Sequence, residues 1–172
     1  MNGIPLCPTC HGQFDNHLHP GLILIPTDLQ FFIDYEIRDR ERRKREAENG
    51  ITLKREVPSS KAYKAYQVDK GTITSNAIGG LYRPVFLKSY LARRLQFDIT
   101  ELLSEPRQWH GAPLACLRRC ILVSGGAGVR VLDWKTRQEL EQLRDLYFLE
   151  DDMDSPQPSS KYPDLVAAGN TR

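Results

Sequence analysis

The residues best equipped for chemistry stand at the start of the chain, where Cys7-Pro8-Thr9-Cys10-His11 is followed by Phe14 and Asp15. His11 and Asp15 are four apart, so on a helix both project from one face. An imidazole nitrogen and a carboxylate oxygen held that way can share a divalent cation. Nitrogen suits zinc and other transition metals, and the carboxylate widens the choice to magnesium or manganese. The plain alternative is a surface histidine beside an aspartate that ends the helix. Cys7 and Cys10 form a C-x-x-C pair with three readings: half of a zinc site, a redox pair at a helix N-terminus, or two small buried hydrophobes. The redox reading calls for a preceding βαβ scaffold, which the few residues before Cys7 do not supply. Cys116 and Cys120 recur at i,i+4 in an apolar stretch and read as core, with a second sulfur pair in space as the alternative.

These groups need elements to hold them. Asn2 to Leu6 reads as a short strand limited by Pro5. Pro8 and Thr9 open a helix carrying Cys10, His11, Phe14 and Asp15, and Asn16 to Gly21 is a loop. Leu22 to Ile25 is an apolar strand stopped by Pro26. Thr27 or Asp28 caps a helix whose Leu29, Phe32, Ile33 and Ile37 define one buried face, and Asn49-Gly50 ends it. Val57 to Ser60 is a break, Tyr63 to Val68 alternates like a strand, and Gly79-Gly80 punctuates before Leu81 to Leu87. Leu114 to Val123 reads as a mostly buried helix with Arg118 and Arg119 on its wet side. Asp133 caps a helix to about Phe148 with Leu140, Leu143 and Tyr147 on its stripe. The expected fold class is α+β. Residues 1–50 form one unit with a long basic helix, 51–148 a mixed and mainly helical region, and 149–172 an acidic, Pro/Ser-rich disordered tail.

The basic helix is the second chemical feature. Glu36 to Glu46 holds six basic and four acidic side chains and no apolar residue after Ile37. That end must be solvated or bound to something charged. Glu41 with Arg45 and Arg42 with Glu46 are ordinary i,i+4 surface pairs. The other reading makes Arg42, Arg43, Lys44 and Arg45 phosphate contacts for a nucleic acid. The run lacks interleaved aromatics, so base stacking is not expected. Gly125 to Gly128 is no phosphate loop, because no Lys-Ser or Lys-Thr follows.

Composition sets outer bounds. The 172 residues are 40% hydrophobic and 27% charged, with a net charge of +2 and four cysteines. That is ordinary for a folded globular chain and too little cysteine for a disulfide scaffold. No apolar run is long enough for a membrane span. No secretory signal is visible, so an intracellular location, nuclear or cytoplasmic, is expected.

Taken together, Asn2-Gly3-Ile4-Pro5-Leu6-Cys7-Pro8-Thr9-Cys10-His11-Gly12-Gln13-Phe14-Asp15 resembles the second half of the HNH endonuclease motif, in which an Asn precedes the last His by nine positions, the separation of Asn2 and His11. The wider chain is similar to a group of fungal HNH-nuclease-like proteins through Pro26 to Ile33, Gly80-Leu81-Tyr82, Trp109 to Leu114 and Arg118-Arg119, so the resemblance spans residues 1–148. It implies a β-hairpin and helix clasping one divalent metal (magnesium, manganese or zinc), with a partial ββα-metal module at the start of this chain. It makes His11 a metal ligand, Asp15 a second helix-borne ligand, and Asn2 the brace at the catalytic centre. The implied activity is hydrolysis of nucleic-acid phosphodiesters. In the family a first His acts as general base and lies before the Asn, whereas only Met1 stands before Asn2 here. His17 and His19 read as exposed loop residues and His110 as a packing or hydrogen-bonding residue. The expectation is an N-terminally truncated, nuclease-like chain with little activity alone. The rival readings are a zinc-stabilised module using Cys7, Cys10 and His11 to dock nucleic acid or a protein, and a metal-free interaction protein.

Overall fold

The computed structural model describes residues 6–91 and 99–148. The expected Asn2–Leu6 strand, Asn2 itself and the tail from 149 onward lie essentially outside them. The elements are α1 (Pro8–Asp15), β1 (Leu22–Pro26), α2 (Leu29–Glu48), α3 (Ser60–Asp69), β2 (Gly80–Phe86), α4 (Thr100–Leu103), β3 (Arg107–Trp109), α5 (Pro113–Ser124) and α6 (Trp134–Phe148), with a 3-10 turn at Ala127–Val131. The class is mixed α+β, with more helix than strand among the described residues. The strands make one antiparallel sheet in the order β1-β2-β3.

The register pairs Ile23 with Val85, Leu24 with Pro84, and Gly80 with Trp109. Pro84 in a middle strand is explained by the ladder. The Leu87 amide bonds the Gly21 carbonyl at 2.8 Å, and the Thr27 amide bonds the Leu81 carbonyl at 3.2 Å. Counting inward from those bonds puts Pro84 at a position that does not hydrogen-bond β1. Its nitrogen faces the other side, where β3 has already ended, so the missing N–H leaves no gap.

Leu29, Phe32 and Ile33 are buried on α2, as the apolar spacing predicts, and Phe31 is buried beside them. The next turn differs from expectation. Ile37 is 37% exposed, while Glu36 and Asp39 are 1% and 5% exposed. The expected apolar stripe gives way to an inward-facing acidic one. Asp28 occupies the N-cap position without a side-chain capping bond. Its carboxylate instead accepts from Gln67 and Lys70.

The expected Tyr63–Val68 strand is corrected to part of α3. The Ser59 hydroxyl caps that helix by accepting from the Ala62 amide at 3.1 Å. Tyr63 and Gln67, one turn apart, are both fully buried. An apparent two-residue alternation was in fact a helical face. Gln67 bonds the Leu81 amide through its carbonyl at 2.7 Å, and Tyr63 donates to the Leu81 carbonyl at 3.0 Å. Gly80 permits this contact, since a Cβ there would come 2.5 Å from the Tyr63 ring.

From Tyr63 an aromatic chain runs across the core. Phe32 and Tyr63 rings lie 4.9 Å apart, Tyr63 and Tyr82 5.7 Å, and Tyr82 and Trp109 5.1 Å. Such pairs add about 0.5–1.5 kcal/mol each beyond the area they bury. One hydrophobic cluster contains Ile23, Phe32, Tyr63, Cys116, Leu140 and Leu143. It therefore joins residues on both sides of the expected boundary at residue 50. On α5, Cys116 and Cys120 are core as expected and Arg118 is exposed, but Leu122 is 68% exposed. The buried Cys120 thiol donates to the Leu24 carbonyl at 3.4 Å.

Asp133 caps α6 as expected, accepting from the Thr136 amide at 2.9 Å and hydroxyl at 2.7 Å. The amide bond, with help from Arg83, holds its carboxyl down at about 2. A depressed carboxyl stabilises the fold above its unfolded value of about 3.9, and that contribution disappears as pH falls through about 2. Asp133→Ala is expected to cost about 1 kcal/mol at neutral pH. In urea melts at stepped pH, the gap between variant and wild type should close as the pH falls from about 4 to about 2.

Candidate functional site

Cys7 is the N-cap of α1 and Pro8 fills its first turn, where a missing N–H is harmless. The helix carries His11 and Asp15 on one face, as predicted. His11 Nδ1 lies 2.8 Å from Asp15 Oδ2, and the two side chains are 63% and 56% exposed. Donation from Nδ1–H leaves Nε2 as the nitrogen with the lone pair. A carboxylate on the far nitrogen is the arrangement that orients a metal-ligating histidine. One Asp15 oxygen thus serves the ring.

This pair lines one groove, and a second adjoins that groove at Ala115 and Arg119. The first, about 390 Å³, is lined by His11, Phe14, Asp15, Trp109, Cys116 and Arg119. The second, about 820 Å³, is lined by His17, His19, Lys88, Arg118, Arg119 and Leu122. Among the described residues Asp15 is the sole acidic one lining either. Arg119 ties α1 to α5: its guanidinium sits 4.8 Å from the Phe14 ring centroid and its Nη2 donates to the Asn16 carbonyl at 3.0 Å. Arg119 is thus half-buried rather than on a wet face. Lys88 Nζ donates to the His19 carbonyl at 2.6 Å. His17, His19 and His110 are exposed. Lys88 was missed because its segment had no readable periodicity, and Trp109 because a three-residue strand carries no pattern.

The cysteines divide into two kinds. Cys7 is exposed and its sulfur accepts from the Cys10 amide at 3.4 Å. That bond and the Cys10 side chain pull the Cys7 thiol below its ordinary value. Cys10 is buried, accepts from the Tyr90 hydroxyl at 3.7 Å, and burial pushes its thiol up. Cys116 and Cys120 are held protonated by burial, Cys116 at about 12. Among the described residues no three His, Cys, Asp or Glu side chains gather closely enough to hold a metal ion.

Comparison with known proteins gives no family. Neither family models, curated proteins nor solved structures match this chain. The site is therefore read from its own chemistry. Among the described residues no helix is long and apolar enough to cross a membrane.

The basic run of α2 does not form an open cationic face. Arg42 pairs with Asp39 at 2.6 Å and Glu56 at 3.3 Å, rather than with Glu46 as expected. Arg43 Nε lies 3.0 Å from Asp39 and its Nη2 3.8 Å from Glu36. Arg55, from the segment after α2, reaches Glu36 at 2.7 Å with its guanidinium 4.4 Å from the Tyr147 ring centroid. Burial by itself would raise the Asp39 carboxyl, but the Arg42, Arg43 and Glu56 bonds outweigh it and hold the group below the usual range. Lys44 and Arg45 are exposed. The something charged that this half of α2 requires is largely its own chain. Arg55→Ala leaves Glu36 undercompensated and is expected to cost about 3 kcal/mol. Lys44→Ala should stay within about 0.5 kcal/mol of wild type. Urea denaturation of both variants measures the contrast.

Proposed function

We propose that this chain is an HNH-type, metal-dependent nuclease-like protein in which His11 binds a divalent cation through Nε2 and Asp15 orients the ring. The observation that carries the reading is the His11–Asp15 pair lining a groove whose other described charged residue is Arg119, beside a second groove lined by Lys88, Arg118 and Arg119. Asn2, outside the described residues, is the further candidate at that centre. Together with the helix α1 these would be the partial ββα-metal module that the N-terminal motif suggests. A bound magnesium, manganese or zinc ion would supply charge stabilisation for a phosphodiester under attack. The chain's own part is to fix the imidazole tautomer and to seat a polyanion along Arg118, Arg119 and Lys88. Within these 172 residues no histidine stands before Asn2 to give the family's general-base assistance. That assistance is worth about 10²–10⁴-fold in rate, and the chain by itself is expected to nick plasmid DNA at background.

Manganese binding, followed by paramagnetic resonance, tests the ligand assignment. His11→Ala should abolish binding, and Asp15→Asn should weaken it about 10–100-fold, as loss of an orienting carboxylate does. Unchanged binding in His11→Ala would sink the proposal. Stoichiometric zinc that is lost on Cys7→Ser yet kept in Asp15→Asn would identify a structural zinc module instead.

Polyanion seating has a separate readout. Duplex DNA affinity should fall with salt, and Arg118→Ala and Lys88→Ala should each lower the log–log slope by about one. Lys44→Ala and Arg45→Ala should leave it higher than either. The reverse order would return the contact surface to α2.

A further inference from the structure

The C-x-x-C pair is left without a part in that reading. Its geometry fits a thiol–disulfide couple. Cys7 stands at the N-cap of an eight-residue helix and Cys10 on its first turn. Residues three apart there lie about 5–6 Å from one another, within the range a disulfide spans. The outer sulfur is exposed and the inner one is 7% exposed. The Cys7 sulfur already rests 3.4 Å from the Cys10 amide, so a rotation about its side chain carries it toward the Cys10 sulfur. An accessible attacking sulfur over a sheltered resolving one is the division of labour that thiol–disulfide exchange uses. No βαβ scaffold is needed for this, because α1 supplies both positions. Cys116 and Cys120 offer the internal contrast, since both are buried in the core.

We propose that Cys7 and Cys10 interconvert between a dithiol and an intrahelical disulfide by exchange with a low-molecular-weight disulfide such as glutathione disulfide. The Cys7 thiolate attacks one sulfur of the small disulfide, whose S–S bond breaks and releases one thiolate. The Cys10 sulfur then attacks the Cys7 sulfur, forming the protein disulfide and releasing the second thiolate. The protein loses two electrons and two protons, and the small disulfide becomes two thiols. Oxidation changes what the Tyr90 hydroxyl finds at the Cys10 sulfur, now 3.7 Å away. Tyr90 lies two residues past Lys88, whose ammonium holds the His19 carbonyl. The couple therefore sits next to His11, and its Tyr90 contact lies two residues from a lysine of the larger groove. It stands whether or not His11 binds a cation.

The experiment equilibrates the full chain, with a chelator present, against graded ratios of reduced to oxidised glutathione. Intact mass and peptide mapping then follow the thiols. The expected result is a loss of two hydrogens with a Cys7–Cys10 linkage, reversed by reduced glutathione, while Cys116 and Cys120 remain thiols. Cys10→Ser should accumulate a glutathione adduct on Cys7, and Cys7→Ser should remain unmodified. Iodoacetamide should alkylate Cys7 at least about tenfold faster than Cys10 in the reduced chain, given their difference in access. Wild-type chain that stays reduced at the most oxidising ratio overturns the proposal. So does a Cys7 adduct that never resolves onto Cys10. Neither reading of the wild type depends on the folding of a variant.

Discussion

Glu36 and Asp39 face inward from the charged half of α2, and a carboxylate taken out of water must find compensation close at hand. Arg42 and Arg43 provide it from the next turn, and Arg55 from the chain that leaves the helix. The Glu56 amide and the Lys54 carbonyl join the same network. Compensation on that side requires the segment after Gly50 to turn back along α2. Gly50, at φ +75°, makes the reversal in a conformation that other residues rarely adopt. The chain is thereby delivered to Ser59, where α3 begins and packs against β2 through Tyr63 and Gln67. One electrostatic requirement thus links the polar end of a helix to the aromatic core.

The same requirement explains where reading the residues succeeded and where it did not. Pro8 and Asp133 act locally, through one fixed dihedral or one capping bond, and helix starts of that kind are visible in a few neighbouring residues. The α2 face was legible as far as Ile33 because apolar periodicity reports burial. It was illegible beyond, because the partner that lets Glu36 and Asp39 go inside is Arg55, distant in sequence. Tyr63 to Val68 misled for a related reason. Its mixed apolar and polar residues read as a half-buried strand, and only the Ser59 cap and the buried Gln67 tell otherwise. Gln67 is polar by type, yet it is fully buried because the sheet offers it an amide.

At the site, the part carried by helical spacing was legible. His11 and Asp15 meet because residues four apart must meet on a helix. The part carried by tertiary packing was not. Arg119 joins α1 to α5 across more than a hundred residues, and Trp109 forms the opposite wall from a strand only three residues long. Residue counting also spread attention over the densest arginine run. Packing ties Arg42 and Arg43 of that run to Glu36 and Asp39, while Arg118 and Lys88, which no such run marks, line the groove beside α1.

The small bond between Cys120 and Leu24 has a broader consequence. β1 pairs with β2 on one side only, so its outer border would present unmatched carbonyls and amides, a template on which a foreign strand can assemble. α5 lies over β1, and the Cys120 thiol occupies the outward carbonyl of Leu24. Burial keeps that thiol protonated and able to donate. The apolar β1 is thus covered against templating aggregation by α5, whose Cys120 thiol satisfies one of its outward carbonyls.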